Sequence, residues 1–356
     1  MRMGLYGLPC AGKTYILEAV RNFGVLEGSK MLLELSQQFH SLHKDEKDIL
    51  RKTLAANLKK KDNFIMDGHY SFGDDIVFTE EDGTLYDVII YLYVRPDILM
   101  ERMRKSAKNK KYLAYDIEKW QNFEMENLRH YCHTNDKDFY IIDHPLQGYF
   151  KDISIILDFI DNLLEGFSCR KFAEKCTKKI ISYHSGDTIV LSDGDKTLSS
   201  EDSSALVGYR THLFDGNFYT GFQSWIHNRK FYDFVNENHC QCDLGNLDIH
   251  LNEMILREVK ASGAVLTSGY YEIWKQISHK LRIPFFYGEQ MSAETKFFIV
   301  KYLQQAGKKV KAYGDGMNDY FMLRQADIGC LMLKKDGTIS RSLIGRELEG
   351  IVFVHN

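Results

Sequence analysis

Two stretches of this 356-residue chain carry residue types at spacings suited to phosphate chemistry. Gly7-Leu8-Pro9-Cys10-Ala11-Gly12-Lys13-Thr14 satisfies G-x-x-x-x-G-K-[ST]. Gly7 and Gly12 let such a loop curl until its backbone N–H groups point at phosphate oxygens. Lys13 then reaches the β- and γ-phosphates of ATP, and Thr14 offers a hydroxyl to Mg²⁺. The helix that follows adds its positive N-terminal end. Further along, Val190–Leu198 runs into Asp193-x-Asp195-x-Thr197. Two carboxylates two residues apart at a strand's end divide labour: Asp193 attacks phosphorus, while Asp195 protonates the leaving oxygen and then activates water. Because they repel each other, both are expected beside a divalent cation that sits between the acids and the phosphate. Gly314-Asp315-Gly316-Met317-Asn318-Asp319 supplies the remaining ligands, with Asp315 the direct Mg²⁺ contact and Asp319 supporting it.

The elements around these motifs read as α/β throughout. Met3–Tyr6 is an apolar run leading into the glycine-rich loop, and Tyr15, Ile16, Ala19 and Val20 follow at helical spacing. Short apolar runs at Met31–Leu35, Phe64–Met66, Val88–Val94 and Phe139–Ile142 are each separated by enough chain for a crossover helix, which implies a parallel sheet covered on both faces. Phe64-Ile65-Met66-Asp67 places a carboxylate at a strand's end, where Asp67 is expected to hold the Mg²⁺ shell; His69 follows two residues on and is open to a substrate or a structural role. Helical spacing over Ile153–Leu164 closes a first domain, 1–165, and a basic stretch between Gly166 and Gly186 reads as a linker. Strand signals return at Thr188–Leu191, Ala264–Thr267, Val310–Tyr313 and Ile328–Met332 in a second domain, 187–356. Residues 199–260 are rich in aromatics and lack strand alternation, so they read as a mainly helical cap inserted in that domain. The expected fold class is therefore α/β, with two doubly wound parallel-sheet domains.

Composition narrows the function. With 44% apolar and 27% charged residues the chain is globular along its length. The net charge is −3; residues 1–165 hold 22 basic against 27 acidic side chains and the remainder 24 against 22, so neither half is a polycation held to nucleic acid by bulk charge. The best apolar run, Val88 to Val94, is far short of a membrane span, and Lys13 falls where a signal peptide needs apolar residues. Seven cysteines without framework spacing read as reduced thiols, and the chain is expected to be cytosolic. His239, Cys240 and Cys242 form one tight cluster, which lacks the spacing of a zinc knuckle and is not read as a metal site.

Residues 1–150 resemble the P-loop small-molecule kinases, closest to the nucleoside-monophosphate and adenylate kinase group, on three features. These are Gly7–Thr14 at the extreme N-terminus, Ile65-Met66-Asp67-Gly68-His69, and Arg95-Pro96-Asp97 through Arg102-Met103-Arg104. The resemblance implies a closing lid at the basic run Arg102, Arg104, Lys105, Lys108, Lys110 and Lys111. There Arg102 and Arg104 would neutralise the transferred phosphoryl group. About residues 186–335 resemble the haloacid dehalogenase (HAD) phosphatases, most closely the phosphoserine-phosphatase branch, on Asp193–Thr197, Leu266-Thr267-Ser268-Gly269, Lys296 and Gly314–Asp319 in the family's order. This resemblance implies that Ser268 binds phosphate, that Lys296 neutralises the phosphoryl group and the nucleophile, and that the helical cap lies between the first two motifs. Glu201 and Asp202 both fall near the branch's serine-recognising acid, so phosphoserine is not assigned as the substrate.

A kinase and a phosphatase acting on one position of one substrate would only consume nucleotide. The expected function is a bifunctional enzyme acting on small phosphorylated molecules, nucleotide-like compounds first, with ATP and Mg²⁺ as cofactors. The alternatives are a polynucleotide kinase-phosphatase that heals nucleic-acid ends, which joins the same superfamilies in the same order, and a phosphatase governed by a nucleotide-binding regulatory domain. The acidic first half and the lack of a basic groove interleaved with aromatics stand against nucleic acid as partner.

Overall fold

The computed structural model describes residues 1–143, 153–214, 218–238 and 248–355. His239, Cys240 and Cys242 lie outside them. The chain divides into two compact units, Met1–Phe167 and Ser168–Asn356.

In the first unit the order is β1 (Arg2–Tyr6), α1 (Lys13–Ala19), β2 (Gly24–Leu26), α2 (Gly28–Leu35), α3 (Lys44–Leu58) and β3 (Phe64–Asp67). A two-stranded hairpin, β4 (Ser71–Phe72) with β5 (Asp75–Ile76), precedes α4 (Glu80–Leu85), β6 (Val88–Leu92), α5 (Pro96–Lys105), α6 (Ile117–Thr134), β7 (Asp138–Ile142) and α7 (Ile153–Leu164). The main sheet is parallel in the order β2-β3-β1-β6-β7. Met31–Leu35, expected as a strand, is instead the second half of α2. Four apolar residues broken only by Glu34 fit either element, and Met and Leu, which are not branched at Cβ, favour the helix. The strand that pairs there is the shorter Gly24–Leu26 beside β3.

The second unit contains α8 (Cys169–Tyr183), β8 (Thr188–Ser192), α9 (Ser203–Leu206), α10 (Gly221–Glu237), α11 (Glu253–Ser262) and β9 (Gly263–Thr267). It continues with α12 (Tyr271–Leu281), β10 (Phe285–Tyr287), α13 (Ala293–Gln305), β11 (Lys309–Gly314), α14 (Met317–Gln325), β12 (Ile328–Met332) and β13 (Val352–Val354). Its sheet is parallel in the order β10-β9-β8-β11-β12-β13. Alternate residues feed opposite faces: Ile189, Leu191, Ala264, Leu266, Val310 and Ala312 share one core, while Val190, Val265 and Tyr313 belong to another. Residues 166–186 are not simply a linker. Ala173, Cys176 and Ile180 of α8 are buried in the first of those cores, because the basic residues that suggested a linker occupy the other faces of an amphipathic helix. The insertion after β8 contributes helices α9 to α11 among the described residues, and its ends are tied together by Asn252 N to Leu198 O and Ser200 N to His250 O. No described helix is long and apolar enough to cross a membrane.

Both sheets share one topological device. The first-laid strand, β1 or β8, receives later strands on one side and then on the other: β3 and β6 flank β1, and β9 and β11 flank β8. Where strand order reverses, the loops at the carboxyl edge part and leave a crevice. Gly7–Thr14 and Asp193 each follow directly from such a strand.

Candidate active sites

The loop after β1 closes on itself. Gly7 (φ 145°), Cys10 (φ 68°) and Gly12 (φ 97°) adopt positive φ, and a Cβ at Gly7 would lie 2.8 Å from the Leu92 carbonyl oxygen. Lys13 is buried, and its ammonium donates to the Gly7 carbonyl at 2.5 Å and to that of Leu8 at 3.3 Å. Burial lowers Lys13 to about 8, against the opposing charges of Asp67 and Glu124. Thr14 is exposed at the first turn of α1. Asp67 ends β3 opposite Leu5 of β1, and its Oδ1 accepts the Gly28 N–H at 2.9 Å. The curled glycine loop and the buried ammonium at its centre offer donors to an anionic phosphate chain, and the carboxylate on the adjacent strand suits a cation that accompanies it.

The two arginines expected in a lid separate. Arg102 reaches the loop, donating to the Cys10 carbonyl at 3.3 Å, and Asn109 Nδ2 lies 3.1 Å from Cys10 Sγ. Arg104 is exposed, since two residues along a helix turn a side chain about 200°. His69 is half-buried with its ring 4.6 Å from Phe72; its Nδ1 has no partner among the described residues, and burial, Lys13 and Lys108 hold it well below the usual histidine range.

Sequence reasoning missed Glu124. This fully buried carboxylate of α6 accepts from Ser71 N at 2.9 Å and Ser71 Oγ at 2.8 Å, from Trp120 Nε1 at 3.2 Å and from Tyr91 OH at 3.0 Å. Burial raises it, and its hydrogen bonds and Lys13 oppose the rise. The one signal in the sequence was Trp120 and Glu124 at i, i+4 on a helix that otherwise reads as ordinary packing.

In the second unit Asp193 leaves the end of β8 with its N–H on the Tyr313 carbonyl at 2.9 Å. Lys296 of α13 is fully buried and bridges two acids, with Nζ 2.5 Å from Asp193 Oδ1 and 2.7 Å from Asp319 Oδ1. Asp193, Asp315 and Asp319 bring carboxylate oxygens within 4.8 Å of one another. Asp319 also accepts the Asp315 N–H at 3.1 Å, and a Cβ at Gly314 would come 2.3 Å from Asp319 Cβ, so glycine is required for this approach. Burial and Asp319 push Asp193 well above the carboxylate range; burial and Asp319 push Asp315 to about 7. Burial would lower Lys296, but Asp193 and Asp319 outweigh it and hold the lysine above its ordinary value. Two buried acids and a half-buried third, each offering hard oxygen ligands, stand against one ammonium and fit a divalent cation such as Mg²⁺.

Asp195, expected in that ligand set, is not part of the cluster. Lys196 takes a left-handed conformation (φ 59°), and the Asp195 carboxylate instead meets Trp274 Nε1 at 2.8 Å and Ser203 Oγ at 2.7 Å. Burial and Asp202 push it up to about 6, with those two donors opposing. Ser268 lies just past the end of β9, half-buried and without a hydrogen bond among the described residues. The hydroxyl oxygen of its neighbour Thr267 is committed to Gly269 N at 2.9 Å. Both acids near the position of the branch's serine-recognising acid have partners. Glu201 receives His250 N at 2.9 Å and lies 3.1 Å from His250 Nδ1, while Asp202 caps α9 through Ser204 and Ala205 and pairs with Lys196 at 2.6 Å.

Among solved structures, the chain is similar to shikimate kinase from Bacteroides thetaiotaomicron (18% identity, 46% of this chain and 98% of that one, TM-score 0.33). A second similar structure is shikimate kinase from Acinetobacter baumannii in complex with shikimate (13%, 47% and 95%, 0.34). A third is a phospho-aspartyl intermediate analogue of phosphoserine phosphatase (17%, 41% and 86%, 0.30). No curated protein matches the chain. The family model that matches is that of the AAA domain, over residues 6–121, a stretch of the first unit that runs from the end of β1 into α6.

Proposed function

We propose that the chain is a bifunctional phosphoryl-transfer enzyme. Its first unit moves a phosphoryl group from ATP to an acceptor, and its second hydrolyses phosphomonoesters through an aspartyl-phosphate on Asp193. The observation that carries the reading is the Lys296 bridge between Asp193 and Asp319, with Asp315 beside them. Lys296 orients the Asp193 carboxylate and offsets its charge, leaving one carboxylate oxygen for attack on phosphorus. Ser268, at the carboxyl edge, presents its hydroxyl to phosphate oxygens. Asp195 gives a proton to the departing alcohol and takes one from the water that follows. Asp193, Asp315 and Asp319 would hold Mg²⁺, which when bound screens the repulsion between these acids and the phosphate. In the first unit Lys13, Thr14 and Asp67 serve ATP and its Mg²⁺. Arg102, already against the loop, is better placed than Arg104 to meet the transferred group.

The substrates we assign are small phosphorylated molecules. Glu201 and Asp202 are both engaged by other groups, which argues against a substrate recognised through an ammonium group. Oligonucleotides longer than about four nucleotides are expected to compete for the phosphatase site no better than mononucleotides, with a log–log salt slope no steeper than about −2. A steeper slope with tighter binding of longer strands would promote nucleic-acid end healing in its place.

Lys13→Ala tests the first unit. ATP turnover should fall at least about a hundredfold, because the ammonium at the centre of the loop is lost. Aryl phosphate hydrolysis by the second unit should stay within twofold. A parallel loss of both activities in folded protein would show that the two sites act as one.

A further inference from the structure

The carboxylate of Asp195 is held on both oxygens by side chains that no part of the proposed mechanism uses. Trp274 Nε1 donates to Oδ1 at 2.8 Å, and Ser203 Oγ lies 2.7 Å from Oδ2. Ser203 Oγ also accepts the Tyr270 N–H at 2.7 Å, so its single proton is committed to Asp195. Both partners are buried, and they come from either side of β9: Ser203 opens α9 at the start of the insertion, and Trp274 lies in the first turn of α12, after that strand.

Two glycines make room for the arrangement. A Cβ at Gly194 would lie 2.6 Å from the Trp274 ring, and one at Gly269 would lie 2.5 Å from Asp195 Oδ2 and 2.6 Å from Ser203 Oγ. Four positions from two distant stretches of the chain, Gly194 and Ser203 in one and Gly269 and Trp274 in the other, are thus fitted to one carboxylate. Trp274 is a core residue whose indole could have packed with its N–H on any acceptor, and a buried indole N–H needs one. Here the acceptor is the second acid of the D-x-D pair.

The geometry points to Trp274 and Ser203 as positioning residues that fix the plane of the Asp195 carboxylate for both of its proton transfers. The inference rests on the aspartyl-phosphate reading given above. In the first step an Asp193 oxygen forms a bond to phosphorus as the bond from phosphorus to the alcohol oxygen breaks, and the Asp195 proton passes to that oxygen. In the second a water oxygen bonds to phosphorus, the Asp193 oxygen departs as carboxylate, and the water's proton returns to Asp195. Each donor occupies one lone-pair direction on its oxygen, so the remaining directions are fixed in space rather than swept by rotation of the side chain.

A positioned acid matters only where the leaving group needs a proton. For Trp274→Phe, kcat/KM on a simple alkyl phosphate is expected to fall at least about thirtyfold. On p-nitrophenyl phosphate, whose leaving group departs without help, kcat/KM should stay within about threefold. The kcat on the aryl substrate should nevertheless drop with KM in parallel, because the second step still needs Asp195 to take a proton from water. Ser203→Ala, a smaller change in volume, should show the same split to a lesser degree, and carries the test where the tryptophan variant does not fold. Equal losses on both substrates in either folded variant, or no loss on the alkyl phosphate, would overturn the positioning role. If the unsubstituted protein hydrolyses neither substrate, the phosphatase reading falls and takes this inference with it.

Discussion

Asp193→Asn is expected to lower phosphatase turnover by at least about a thousandfold while leaving ATP binding by the first unit unchanged. The amide is a poor nucleophile, and removal of a covalent catalyst costs several powers of ten. The substitution keeps the shape of the side chain, and Lys296 retains an oxygen to donate to, so folding should be little affected. Steady-state hydrolysis of an aryl phosphate measures the first arm and nucleotide titration the second. Retention of more than about a tenth of wild-type turnover would remove Asp193 as nucleophile.

The other large effect belongs to Lys296→Met. The ammonium is fully buried between two acids, and methionine keeps most of its length while leaving Asp193 and Asp319 unneutralised. Breaking a buried ion pair from one side costs about 3–5 kcal/mol. In a unit of this size that corresponds to a melting transition roughly 6–20 °C lower. Phosphatase activity should be lost with it, because the phosphoryl group would meet uncompensated carboxylates. Added Mg²⁺ should recover part of the lost thermal stability, since a cation that binds only the folded cluster shifts the equilibrium toward it. Calorimetry of the full chain with and without Mg²⁺ measures this. An unchanged or higher transition temperature would show that the lysine is not what holds the acids together.

The sequence by itself determined the two motifs and their local conformation. G-x-x-x-x-G-K-[ST] after an apolar run and D-x-D-x-T after another are short-range statements, because a loop's positive-φ glycines and the residues that leave a strand's end are set within a few positions. The α/β class followed from the same short-range alternation of apolar runs and helical spacing. Short range also explains the errors: the four apolar residues of Met31–Leu35 satisfy a strand or a helix equally, and the basic face of α8 reads as a linker because its buried face is defined only by the sheet it covers.

Tertiary structure decided the rest. Strand order was not readable, since it depends on which side of β1 or β8 each crossover returns to, and it is that order which puts both motifs where the order reverses. It also decided which acids meet. Asp193 and Asp195 are two residues apart, yet one faces Lys296, Asp315 and Asp319 while the other turns to Trp274 and Ser203. Arg102 and Arg104 diverge around their helix in the same way, and Glu124 acquires its place only because α6 packs it against Ser71 and Tyr91. Spacing along a chain fixes which residues are near neighbours in sequence; the directions of their side chains depend on backbone conformation and on packing partners a hundred residues away.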